Sequence, residues 1–221
     1  MKKIKGIIFD LGGVILDIDY SATEKAFVEH GAKNFQSIYK QSDQAAIFDQ
    51  FEEGYISASE FRSYVMNLLN LNLTEKEFDM AWNKMLLHFQ KDRMDLLRHC
   101  KNQGLKIFLY SNIDEIHLPD VEIIAQRDLG LANYHSLFDK IYYSHHFKNR
   151  KPYTKSFEAL CNDIDKNFHI KKEELLFIDD TIKHVHGARS VGLKALHIKS
   201  NLTTDQLCHE IYLILNPLRA S

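Results

Sequence analysis

Cysteine is scarce in this chain. The three present, Cys100, Cys161 and Cys208, are far apart and odd in number, which fits a reducing compartment better than a disulfide framework. None sits in a CxxC pair, so each is expected to be a small buried hydrophobe in a reducing compartment. No apolar stretch approaches the length of a membrane span. The opening MKKIKGIIFDLG has a basic head, but its apolar run is too short for a signal peptide and leads into Asp10. A net charge of -2 with no dense basic patch argues against nucleic acid or an anionic membrane as the main partner. Repeats and low-complexity tracts are missing too. A cytoplasmic protein is the expectation, and 221 residues suffice for one large domain or one domain with a smaller insertion.

Glycine is also sparse, nine in all, yet two stand side by side in IIFDLGGVILDID, residues 7–19. There an apolar run ends in a carboxylate, Asp10, and Gly12 and Gly13 follow at once. The run is one of five that read as strands: 5–10, 105–111, 140–144, 174–179 and 193–198. Most are apolar at consecutive positions, as expected of strands covered on both faces. Helical patterns fill the gaps after residue 90. One ends at Gly104 and another at Gly192, each directly before a strand. A third places Phe157, Leu160, Cys161 and Ile164 on one stripe. Helix and strand in alternation predict an α/β fold with a doubly wound parallel sheet.

Residues between the first strand and position 90 show no convincing strand. They carry three capping-box patterns instead, Ser21–Glu24, Ser57–Glu60 and Thr74–Glu77. We expect an inserted helical cap at 17–85, over a core formed by residues 1–16 and 86–221.

In an open parallel sheet, chemistry collects at the carboxyl ends of the strands. The first strand ends in Asp10, and the second in Ser111 and Asn112. Arg150, Lys151 and Pro152 follow the third, and the fourth ends in Asp179 and Asp180. Carboxylates, a hydroxyl and an ammonium in one crevice suit phosphoryl transfer. Three acids converging there would repel one another unless a cation sat among them, and hard oxygen ligands favour Mg²⁺. Lysine and hydroxyl would hold phosphate oxygens, and glycines after Asp10 would let backbone amides approach an anion.

The four segments FDLGGV, LYSN, RKP and FIDD, in that order at strand ends, resemble the four motifs of the haloacid dehalogenase-like superfamily. The resemblance spans the chain, because a helical cap inserted after the first motif is also a family trait. It implies that Asp10 is a nucleophile forming an aspartyl-phosphate, with Ser111 and Lys151 as its catalytic companions. Leu11, Ser111, Asn112 and Lys151 would bind phosphate; Asp10, the Gly12 carbonyl, Asp179 and Asp180 would bind Mg²⁺. The substrate would be a small phosphorylated metabolite, since a cap excludes polymers.

Family phosphatases usually carry a second aspartate two residues after the nucleophile, which moves a proton to the leaving group and from water. Gly12 stands there, and glycine moves no proton. Three readings stay open: a phosphatase that manages without this acid, similar to bacterial sugar-phosphate phosphatases acting on glucose 1-phosphate; a metal-independent 2-haloacid dehalogenase; and a non-enzymatic relative that binds a ligand or partner. His184 occupies a position where the subgroup commonly has asparagine.

The twelve histidines include His145–His146 and His184–His186, whose spacing does not converge on one ion. They read as surface or packing residues, with His145, His146 or His184 the candidates for the missing proton transfer. Asp17 and Asp19 read equally as pocket lining or as solvated hinge residues. Glu53 and Tyr55 are candidates to face substrate. Trp82, spaced helically with Phe78 and Met85, reads as cap core.

Overall fold

Consecutive apolar residues make strands that bury both faces, and five such runs form one parallel sheet. The computed structural model describes residues 2–33, 35, 42–130, 134–199 and 202–216. The strands of the sheet are β1 (Gly6–Phe9), β4 (Lys106–Ser111), β5 (Lys140–Tyr143), β6 (Leu175–Asp179) and β7 (Lys194–His197). Their spatial order is β5-β4-β1-β6-β7, all parallel, so β1 lies at the centre. Each matches its expected span to within a residue at either end.

Period-2 geometry sends alternate side chains to opposite faces. Ile7, Phe9, Ile107 and Leu109 face α5 (Lys91–Asn102), α6 (His117–Leu129) and α10 (Thr204–Leu215) in one apolar cluster. Ile8, Phe108 and Phe177 face α8 (Thr154–Phe168) and α9 (Ile182–Ser190) in another, beyond the single turn α7 (Ser144–Phe147). The expected stripe of α8, Phe157, Leu160, Cys161 and Ile164, is buried there. Each large side chain so buried stabilises the fold by roughly 1.5–3 kcal/mol. Gly104 and Gly192 follow α5 and α9 at positive φ, +81° and +84°.

The segment after β1 corrects one expectation. Two short strands occur there, β2 (Leu16–Ile18) and β3 (Leu86–Phe89), paired antiparallel as a separate ribbon. Three and four residues are too few for an alternation to be read. Between them run α1 (Tyr20–Glu29), α2 (Ser42–Glu52), α3 (Ala58–Leu69) and α4 (Glu75–Trp82). These helices share their own aromatic core of Phe27, Phe51, Phe61, Phe78 and Trp82. Phe51 and Phe61 stack at 4.0 Å between centroids. The Ser57–Glu60 and Thr74–Glu77 capping boxes form as expected. The Ser21–Glu24 box does not: Asp19 is the N-cap of α1 and accepts from the Ser21 amide, because the helix starts one residue before Ser21.

Candidate active site

The end of β1 explains the paired glycines. The Asp10 amide continues the ladder to the Ile178 carbonyl at 2.9 Å. The chain then turns within one loop, with the Leu11 carbonyl accepting from the Ile15 and Leu16 amides at 2.8 and 2.9 Å. Gly13 takes φ +71°, and a β-carbon there would collide with the Asp180 carboxylate. Gly13 therefore admits an acid rather than cradling an anion, a departure from the expected role. Asp10 Oδ1 accepts from the Leu11 amide at 2.7 Å and from Lys151 Nζ at 2.7 Å. No partner among the described residues holds Oδ2.

Lys151 is completely buried and bridges two acids, Asp10 and Asp179, the latter at 2.6 Å. Its backbone is fixed by Asn112: Asn112 Oδ1 accepts from the Lys151 amide and Asn112 Nδ2 donates to the Lys151 carbonyl, both at 2.9 Å. The second and third motifs thus lock each other across the strand ends.

Charge in this crevice does not balance. Burial, and then Asp179, push the Asp10 carboxyl well above the usual range despite Lys151. Burial and Asp179 likewise raise Asp180. Burial works against ionising Asp179 too, but Lys151 and His184 outweigh it and hold that carboxyl far below the usual range. Lys151 stays charged, because Asp10 and Asp179 outweigh its burial. Three acids thus share one ammonium, and burying like charges together is costly unless a cation joins them. Ligand atoms of Asp10, Asp179 and His184 lie within 4.8 Å of one another. This oxygen-rich set fits a hard divalent cation. Asp180 lies outside that trio, its carboxylate accepting from the Thr181 hydroxyl at 3.2 Å.

A cavity of about 300 Å³ opens above these groups, between the strand ends and the inserted helices. Asp10, Leu11, Gly12, Ser111, Asn112 and Lys151 all line it. Of the three histidines considered for proton transfer, the fold brings His184 alone to it, with Nδ1 at 3.1 Å from both Asp179 oxygens. Burial, and then Lys151, lower the His184 pKa. His145 is buried against the Ile113 carbonyl at 2.7 Å, and His146 is exposed. Asp17 pairs with the Gln90 side chain and Asp19 caps α1, so neither lines the cavity. Glu53 is buried beside Lys155 and Tyr55 is exposed, both outside it. Trp82 is core, as expected, and also cavity wall: it stacks on His117 at 5.3 Å and donates Nε1 to Asp114 Oδ2 at 3.1 Å.

Sequence reasoning missed Glu52, Asp114, His117 and Arg150 as lining residues. Arg150 has a local signal, its place beside Lys151. The others come from elements whose orientation only tertiary packing determines.

A sequence profile described as haloacid dehalogenase-like hydrolase matches residues 7–198. The chain belongs to that family. Among its haloacid dehalogenase-like relatives, a D-ribitol-5-phosphate phosphatase of Bacteroides thetaiotaomicron is 28% identical over 218 residues, covering 96% of this chain and 99% of the relative. A sesquiterpene phosphatase of Aspergillus oryzae is 25% identical, covering 90% and 92%. A family enzyme of B. thetaiotaomicron, crystallised with magnesium and inorganic phosphate, superposes with a TM-score of 0.80 at 27% identity, covering 92% of this chain and 98% of that one. An L-2-haloacid dehalogenase shares the fold at a TM-score of 0.61 and 16% identity. No helix among the described residues is long and apolar enough to cross a membrane.

Proposed function

We propose that this protein is a Mg²⁺-dependent phosphatase of small phosphomonoesters, sugar phosphates among them, acting through an aspartyl-phosphate on Asp10. The observation that carries this reading is the state of Asp10: one oxygen tied down by two donors, the other unpaired beside a fully buried lysine under a cavity. Relatives named as phosphatases along nearly their whole length support it. The adjacent acids Asp179 and Asp180 weigh against a metal-independent dehalogenase, which has no reason to crowd carboxylates.

In this reading Asp10 Oδ2 attacks phosphorus and the alcohol departs; water then hydrolyses the acyl phosphate. The Asn112 amide and the Ser111 hydroxyl take peripheral phosphate oxygens, and the Leu11 amide joins them once it releases Asp10 Oδ1. Lys151 neutralises both the nucleophile and the transferring group, and Asn112 keeps it in place. Asp10, the Gly12 carbonyl, Asp179 and Asp180 would hold Mg²⁺, with His184 at their edge; when bound, the ion supplies the positive charge this crevice lacks. Residues 17–85 serve as a cap over the core of residues 1–16 and 86–221, excluding water and reading the leaving group. Three free cysteines, two of them buried, support a cytoplasmic setting.

The test is phosphate release from a panel of sugar and polyol phosphates, with Mg²⁺, with chelator, and with Asp10→Asn. Release that requires both Mg²⁺ and Asp10 is expected. Release surviving Asp10→Asn sinks the assignment of the nucleophile; silence across the panel sinks the phosphatase.

A further inference from the structure

Alkoxide is a poor leaving group, and Gly12 offers it no proton. We propose that Glu52, the last residue of α2, is the general acid that protonates the departing oxygen. This rests on the phosphatase reading. An in-line displacement drives the leaving oxygen away from Asp10 and into the cavity, which the inserted helices close. Glu52 is the carboxyl that those helices contribute to the cavity lining. Its Oε2 accepts from Arg150 Nε at 2.7 Å, and no partner among the described residues holds Oε1. Arg150 is itself braced by Asp49, so the carboxyl is aimed by a side chain adjacent in sequence to Lys151.

The other carboxyl and imidazole groups that line the cavity beside the Asp10–Lys151 pair are engaged elsewhere. Asp114 Oδ1 accepts from the Ile116 and His117 amides at 2.9 and 2.8 Å, and its Oδ2 accepts from Trp82. His117 Nδ1 meets Asn83 Oδ1 at 2.6 Å, and its Nε2 is 3.7 Å from Asp114. His184 is bound to Asp179. The electrostatic setting of Glu52 suits an acid: burial raises its carboxyl above the usual range, Arg150 opposes, and Asp114 and Asp49 push upward again. Among the described residues, these three are the charged groups that influence it most.

In the first step the Asp10 Oδ2–phosphorus bond forms and the bond from phosphorus to the ester oxygen breaks. The electron pair stays on that oxygen, which takes the Glu52 proton and leaves as an alcohol. Water then attacks the aspartyl-phosphate and gives a proton back to the Glu52 carboxylate, while Asp10 and phosphate separate.

The experiment compares wild type with Glu52→Gln on p-nitrophenyl phosphate, whose leaving group needs no proton, and on phenyl phosphate, whose leaving group gains from one. General acid catalysis typically contributes about 10²–10⁴-fold. Glu52→Gln is expected to lose at least about ten times more kcat/KM on phenyl phosphate than on p-nitrophenyl phosphate. The basic limb of the wild-type pH profile should vanish with it, since the acid works only while protonated. Equal losses on both esters, or a basic limb that persists, overturn the assignment. If Glu52→Gln does not fold, the wild type alone decides: rates across substituted phenyl phosphates depend weakly on leaving-group acidity if the oxygen is protonated, and steeply if it is not. A wild type silent on the aryl phosphates and on the sugar and polyol panel alike sinks the phosphatase reading and this one with it; an active wild type with uniform losses sinks only the acid.

Discussion

Lys151→Met removes an ammonium while keeping most of the side-chain volume. Nζ lies 2.7 Å from Asp10 and 2.6 Å from Asp179 with no solvent exposure, so water cannot replace it. Breaking a buried pair by deleting one partner costs about 3–5 kcal/mol. The two acids left behind have ligand oxygens within 4.8 Å of each other. Two unit charges at such a distance repel by roughly 3–4 kcal/mol at an effective dielectric near 20, so the upper end of that range applies unless one carboxylate takes up a proton. The pH dependence carries the sign. In the wild type Asp179 ionises below its unfolded value of about 3.9, so its contribution is present above that pH and is lost as pH falls through the folded value. Without Lys151 both carboxyls sit above their unfolded values, and destabilisation grows as pH rises. Guanidinium unfolding in the presence of chelator, from about pH 5 to pH 8, should therefore show a gap between variant and wild type that widens with pH and narrows when Mg²⁺ is added. A gap below about 1 kcal/mol, or one independent of pH, would refute Lys151 as the counter-ion.

Two further substitutions test the surroundings. Gly13→Ala places a methyl group at positive φ against the Asp180 carboxylate; it should cost at least about 1–2 kcal/mol and raise the Mg²⁺ concentration for half-maximal activity several-fold. An unchanged Mg²⁺ titration would remove Asp180 from the metal site. Trp82→Phe keeps an aromatic wall but deletes the donor to buried Asp114, so unfolding should show a loss of about 1–3 kcal/mol. A neutral result would mean that water restores the bond.

Much of this architecture could be read in advance, for identifiable reasons. Strands buried on both faces announce themselves as apolar runs, and Asp10, Ser111 and Asp179 were legible because each sits where such a run stops. The ribbon of β2 and β3 was not legible, since its pattern is shorter than the period that would reveal it. Asp19 displaced Ser21 as a cap because both are good caps and the helix began one residue early. Glu52 was hidden for another reason. Its neighbours Glu53 and Tyr55 are no less polar, and only the packing of α2 against the 144–155 segment decides which of them meets the cavity.

The β2–β3 ribbon has a consequence for how such a protein can change over time. It joins the two ends of the inserted helices, pairing Leu16 with Phe89 and Ile18 with Leu86, so the insert begins and ends at adjacent points. Whatever lies between those points closes a loop whose ends are already held together, and loop entropy grows only slowly with length. Helices can be lengthened, shortened or exchanged there without disturbing the register of the sheet that carries Asp10. A lineage can then try new leaving-group chambers on an unaltered hydrolytic floor, while each exchange puts at risk any chemistry that the insert itself supplies.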